Sequence, residues 1–364
     1  MARMFVVREA QDSASWEAFL AAQPYRPFLQ SWTMGEVYRD VGQMPLRFEV
    51  LQDNKVVGVC FAHVVPARRG KHLAIPYGPV VQTTEALPAL FEALRTAGSE
   101  HGCRFLRLSP FWPARDAKSQ WLGAHAVTSP LHLLAEHTWY LPLTASDAWA
   151  HPALPAGDRR EAEEIFSKFR STTRNLIRRA EKEGVTIETS SHPEADVEHF
   201  IRLHDETRKR HGFTPYTNTF FRSELAHFSD RNAATLYLAR YQGEVIAAAM
   251  HIHMYGETSY HHGASTHRFS KIPASYLLQW HAIQDALRRG DHVYNFWGIA
   301  PVNVADDGKV ETTTKKHPFA GVTLFKTGYG GALLELLPCH DVPLHPAYRV
   351  TRAIETVRKW KRGF

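Results

Sequence analysis

The chain has 364 residues, 44% hydrophobic and 22% charged, a balance that suits a globular protein with two full cores. No run of about 18 apolar residues occurs, which excludes a membrane-spanning helix, and the N-terminus lacks the apolar segment of a secretory signal. The formal charge of +6 favours anionic partners, and the three cysteines, Cys60, Cys103 and Cys339, fit neither a disulfide framework nor a zinc pattern; the expected location is the cytoplasm.

Helical periodicity opens at Ser15–Ala22 and returns at Ser31–Val41. Three strand-like runs follow, LRFEVL, VVGVCFAHVVP and KHLAIPYGPVV, joined by the polar turns QDNK and ARRG. A helix over Leu87–His101 leads to the strand RFLRLSP. A linking stretch, Trp149–Glu188, contains KFRSTTRNLIRRAEK, a helix that gathers much of the positive charge. The same order then recurs: helices near Ala195–Arg210 and Thr219–Phe228, strands ATLYLARY, EVIAAAMHIHMY and TSYHHGAS, a helix over Ser275–Arg289 stopped by Gly290, and the strand HVYNFWGI. Near the end, Val322–Phe325 reads as a short buried strand with Lys326 at its tip. A last basic helix, Ala347–Lys361, is expected to pack on the first domain.

A unit of two helices, a three-strand meander, a helix and a strand thus occurs twice. That is the order of the GCN5-type N-acetyltransferase fold. The expected class is mixed α/β, with two tandem acetyltransferase-like domains. The first is expected over 1–148, completed by part of 317–364, and the second over 149–316.

Several stretches carry a resemblance over nearly the whole chain: FLQSWTMGEVYRDVG, AIPYGPVV, TTRNLIRRAEKEGV, TRKRHGFTPY, the run from SYHHGAS to NFWGIAP, HPFAGVTLFKTGYGG and the terminal RKWKRGF. In this order they resemble the Fem family of peptidoglycan-bridge aminoacyltransferases. The resemblance implies transfer of an amino acid, glycine, alanine or serine, from aminoacyl-tRNA to an amine of a peptidoglycan precursor. That precursor would be lipid II or UDP-MurNAc-pentapeptide. A cytoplasmic monomer without bound cofactor is expected. The span from Gly184 to Pro301 leaves no room for the long helical arm of some members. Tyr38 stands at or near a place where the family commonly has a lysine, with Arg39 beside it. Arg107-Leu108-Ser109-Pro110 replaces Arg-x-Asp-Pro, and Asn295 replaces an aspartate. These departures leave the acceptor open.

The chemistry asks for a fixed cation near the negative charge that develops on the ester oxygen. Lys326, with Phe325 as its active-site partner in the resemblance, is the expected catalytic pair, the lysine stabilising the tetrahedral intermediate or leaving oxygen. Arg210 or Arg208 would clamp an acceptor phosphate, with Tyr216 beside them. Tyr260, Tyr276 and Tyr77 could line the cleft with a hydroxyl on an apolar body. Tyr38, Arg39 and Arg107 complete the expected substrate contacts. Arg170, Arg174, Arg178, Arg179 and the last helix offer basic surface to tRNA. No general base stands out. His251 and His253 would share one strand face, His261 and His262 opposite ones, and no carboxylate or cysteine stands at ligand spacing, so no metal site is expected.

Two other functions compete. An acyl-CoA N-acyltransferase needs a pyrophosphate-binding turn before a helix; VVQTTEALPAL and STHRFSKIPASYLL lack it. A non-enzymatic basic RNA-binding protein explains the charge but not the repeat or the Phe-Lys pair. The basic, aromatic C-terminus adds an expected peripheral contact with an acidic membrane surface.

Overall fold

The computed structural model describes residues 4–146, 149, 158–211, 216–305, 309–313 and 317–362. In chain order the elements are β1 (Phe5–Glu9), α1 (Ser13–Ala21), α2 (Trp32–Asp40), β2 (Pro45–Gln52), β3 (Lys55–Val65), β4 (His72–Tyr77), β5 (Val80–Val81), α3 (Leu87–Glu100), β6 (Phe105–Pro110), α4 (Ala117–His125), β7 (Val127–Thr128) and β8 (His137–Pro142). They continue with α5 (Ala162–Ser167), α6 (Ser171–Lys182), β9 (Thr186–Thr189), α7 (Pro193–His211), α8 (Asn218–Ser229), β10 (Ala234–Tyr241), β11 (Glu244–Met254), β12 (Glu257–Ser265) and α9 (Ala274–Arg289). The last are β13 (Val293–Gly298), β14 (Val302–Val304), β15 (Val310–Thr312), α10 (Ala320–Thr327), β16 (Ala332–Glu335), β17 (His340–Pro343) and α11 (Tyr348–Arg362). The longest helix, α7, packs on the second sheet, and no helical arm is present among the described residues.

The chain forms two compact units, residues 1–137 with 334–364, and residues 138–333. The first expected boundary, at 148, moves forward because β8 pairs with β13 of the second sheet. The first sheet runs β1-β2-β3-β4-β6-β17-β7, with β5 on β3, and its one parallel pair is β4–β6. The second runs β16-β8-β13-β12-β11-β10-β9, with β12 and β13 parallel.

Local chemistry explains the repeated meander. Asp53 and Asn54, Gln242 and Gly243, and Tyr255 and Gly256 all take positive φ at the hairpin tips, the geometry that matches strand twist. Caps fix the helix starts: Asp12 accepts from the Ala14 and Ser15 amides, Ser31 from Met34, and Thr217 from Phe220. Gly290 ends α9 in the left-handed region at φ 81°. Apolar side chains of α9, β10, β11 and β13 form the second core, including Leu278, Ile283, Tyr237 and Phe296. Helices α7 and α8 lie against the second sheet as well, where Phe200 and Phe221 meet at 5.1 Å.

The expected strand at Val322–Phe325 is a helix. Thr323, Lys326 and Thr327 are its buried residues, at the spacing of one helical face, whereas Val322 and Leu324 are exposed. The Thr323 and Thr327 hydroxyls donate to the carbonyls four residues back. An apolar run that faces outward gives a misleading pattern.

Candidate active site

β12 and β13 stay in register only from Glu257–Val293 to Ser259–Asn295. Beyond that point β12 continues along β11 to Ser265, while β13 slips its pairing with β8 between Asn295 and Gly298. Trp297 sits there at φ 67°, uncommon for a bulky residue, and its amide donates to Asn295 Oδ1 at 2.8 Å. Asn295 Nδ2 in turn donates to Glu257 Oε1 at 2.8 Å. Asn295 is therefore an internal strut that shapes the strand end.

Helix α10 delivers Lys326 to this opening. Its Nζ donates to the Gly298 carbonyl at 2.7 Å and lies 5.6 Å from the Tyr260 ring centre. Tyr260 is the first β12 residue past the paired segment. Phe325 packs edge-on against Tyr276 at 4.8 Å and Tyr329 at 5.6 Å. The Tyr329 hydroxyl donates to the Tyr276 carbonyl at 3.0 Å, which ties the start of α9 to the end of α10. Lys326, Phe325, Tyr260 and Tyr276, all expected from the sequence, thus form one cluster.

Burial lowers Lys326 from the ordinary lysine value to about 7. Burial also pushes Tyr260 up to about 12, so its hydroxyl stays protonated. His251 stacks on Tyr260 at 5.3 Å and contacts the Tyr294 hydroxyl at 2.7 Å. Tyr294 donates onward to Gln279 at 2.6 Å, and burial holds His251 near 3, hence neutral. An aromatic, neutral wall thus surrounds one poised ammonium. A cavity of about 480 Å³, lined by Arg179, Lys271 and Ser275 among others, shares Tyr276 with this cluster and is not lined by Lys326.

The expected tRNA arginines are engaged in their own unit. Arg170 donates to the Leu324 carbonyl at 3.2 Å and to Thr327 at 3.3 Å, holding the last turn of α10. Arg174 donates to the Ser167 and Phe169 carbonyls, both at 2.6 Å. Arg179 pairs with Glu183 at 2.7 Å and donates to the Lys271 carbonyl at 3.0 Å. Arg178 lies over the Phe166 ring and is exposed.

Of the expected phosphate clamp, Arg208 pairs with Asp205 at 3.5 Å on α7. Arg210 is in the same helix, but its side chain lies outside the described residues. Tyr216 stacks on Phe220 at 4.3 Å and meets His262 at 5.6 Å.

The first unit shows committed side chains. Arg107, expected at substrate, is saturated by Asp341 at 2.8 and 2.9 Å and by Glu355 at 2.6 and 3.3 Å. Tyr77 is buried and donates to the Ala135 carbonyl at 3.0 Å. Tyr38 stacks on His63 at 3.9 Å, and Arg39 pairs with Glu36.

Similarity to known proteins now adds to this geometry. The acetyltransferase (GNAT) domain model matches residues 167–303. Aminoacyltransferase FemA of Staphylococcus aureus is 19% identical, over 94% of this chain and 96% of its own length. FemA of Staphylococcus epidermidis is 19% identical over 84% of this chain and 88% of its own. This chain is thus similar to FemA over nearly its whole length. Its fold is that of the crystal structure of FemX, at TM-score 0.76 and 17% identity, covering 96% of this chain and all (100%) of that one. A tandem GNAT protein from the clavulanic acid pathway matches at TM-score 0.57 and 14% identity, covering 94% of this chain and 99% of its own. The chain is a transferase of tandem GNAT architecture, as the element order led one to expect.

Sequence reasoning missed Gly298, Trp297 and Tyr329 as neighbours of Lys326, and expected Arg170 at tRNA, where the structure has it holding α10. A backbone carbonyl and a positive-φ tryptophan leave no sequence signal. Tyr329, three residues after Lys326, was visible only as part of a turn. Contrary to expectation, His261 and His262 stand together with a carboxylate, Glu224.

Proposed function

We propose that this chain transfers an aminoacyl group from aminoacyl-tRNA to an amine on a peptidoglycan precursor peptide, the group being glycine, alanine or serine. One observation carries the reading: among the described residues, the Lys326 ammonium meets the Gly298 carbonyl and aromatic rings, and no carboxylate, where β12 and β13 part. The acceptor amine attacks the ester carbonyl, and negative charge develops on its oxygen. Lys326 supplies the fixed cation for that oxygen or for the departing ribose oxygen. Tyr260 and Tyr276 position the substrate groups, and Phe325 keeps water from the lysine. Similarity to aminoacyltransferase FemA supports an aminoacyl group as the one transferred.

The last helix favours the lipid-linked acceptor. Tyr348, Thr351 and Glu355 of α11 are buried, while Val350, Ile354 and Val357 form an exposed apolar stripe facing away from them. At about 100° per residue, the exposed Arg349 and Arg358 fall on either side of that stripe, and Trp360 lies at its end. An apolar stripe between two basic edges suits the interface of an anionic bilayer, where lipid II resides.

The test charges tRNA with each labelled amino acid and offers lipid II in vesicles and UDP-MurNAc-pentapeptide separately. Label is expected in the lipid-linked acceptor. Folded protein that labels neither, with any amino acid, would sink the proposal.

A further inference from the structure

One buried cluster has no part in the chemistry above. Glu224 comes from α8 and is fully buried, and its two oxygens each lie 2.9 Å from an imidazole nitrogen, His261 Nδ1 and His262 Nε2. Consecutive strand residues should face opposite sides of a sheet. Here the register of β11 and β12 shifts, from Met250–His262 to His251–Tyr260, so His261 is the extra residue of a β-bulge. The bulge brings both rings to the α8 side, 3.9 Å apart. Phe221 and Tyr216 against His262, and Trp297 against His261, wall the cluster with aromatic rings.

Two hydrogen bonds to one carboxylate would be the simple account of these distances. The angles do not support it. Among the described residues, neither Glu224 oxygen nor His262 Nε2 has an aligned hydrogen-bond partner. A carboxylate buried in an aromatic shell without aligned donors is costly unless a cation balances it. Ligands of one metal ion show this pattern, because each lone pair aims at the ion and not at its neighbour. With bond lengths of about 2.0–2.2 Å, tetrahedral ligand atoms stand roughly 3.3–3.6 Å apart, so an ion would spread the 2.9 Å separations here by about half an ångström.

We propose that Glu224, His261 and His262 bind one divalent zinc ion. Two imidazoles and a carboxylate suit zinc and leave a coordination position for water. The ion fixes α8 to the bulge of β12. Tyr260, whose ring faces Lys326, is the residue immediately before that bulge. The ion is thus a positioning element for the lysine's wall.

The experiment uses the tag-free full chain, stripped with a chelator and titrated with zinc, then with cobalt as a spectroscopic probe. The expected result is one equivalent bound per chain and a higher Tm with zinc. Cobalt should give visible absorption bands of a low-coordinate site and paramagnetically shifted NMR signals from two histidine rings. Glu224→Gln and His262→Asn should each weaken zinc binding at least 100-fold. Should a variant fail to fold, the cobalt spectrum of the wild-type chain decides by its histidine signals. No binding by the wild-type chain, cobalt spectra without two histidine ligands, or equal binding by folded variants would overturn the proposal.

Discussion

The Lys326 ammonium donates to the Gly298 carbonyl at 2.7 Å, so α10 reaches the place where β13 leaves β12. The contact joins a helix the sequence disguised to a strand end that has parted from β12 and keeps only β8 as its neighbour. It sets the lysine in an aromatic surround, with no carboxylate paired to it among the described residues.

Replacing Lys326 by Met should reduce transfer by roughly 10²–10³-fold, the cost of losing one preorganised charge stabiliser. Circular dichroism and Tm should stay close to wild type, since a buried charge is itself unfavourable. Turnover within a factor of three of wild type would remove the lysine from the mechanism.

The pH dependence follows from the same burial. The ammonium form is lost as pH rises through about 7, so lysine-dependent turnover should fall above that value. Lys326→Arg keeps its charge and should move this limb to higher pH. Stability should change in the opposite sense. Between about 7 and the ordinary value of 10.5 the unfolded chain holds a proton that the folded chain has lost, so stability gains from rising pH in that window. Wild type should therefore gain more Tm than Lys326→Met from pH 7 to pH 10, and parallel curves would count against the buried cation.

Arg107→Ala should destabilise the first unit by about 3–5 kcal/mol, because Asp341 and Glu355 would be left buried without their cation. Urea unfolding measures this. KM for the acceptor, per folded molecule, should not change. A raised KM with unchanged stability would return Arg107 to the substrate.

The arginines of α6 should separate by assay. Arg174→Ala breaks bonds to two carbonyls and should cost about 1–3 kcal/mol of stability. Arg178→Ala should leave stability alone and reduce the salt dependence of tRNA binding by a slope of about 1. An unchanged slope would show that tRNA does not use this face.

Ile354→Asp with Val357→Asp should weaken binding to phosphatidylglycerol vesicles at least tenfold and leave binding to uncharged vesicles negligible. Transfer to a soluble acceptor should be unaffected. Equal vesicle binding by variant and wild type would leave α11 without a membrane role.

The sequence by itself determined the repeated order of helices and strands, because hairpin turns, caps and the glycine after α9 are local signals. It also singled out Lys326, Phe325, Tyr260 and Tyr276, four residues that the fold brings into one cluster. Tertiary structure alone decided how they meet. Helix α10 hides Thr323 and Lys326 and exposes Val322 and Leu324, the reverse of the pattern that marks a buried strand. Arg107 reads as a substrate ligand until Asp341 and Glu355, over 200 positions away, fold onto it. His261 and His262 face one way only because a bulge inserts one residue between two paired segments, and Glu224 joins them from another element. Strand periodicity is a property of neighbours, whereas bulges, saturated charges and inverted helix faces are fixed by partners distant in the chain.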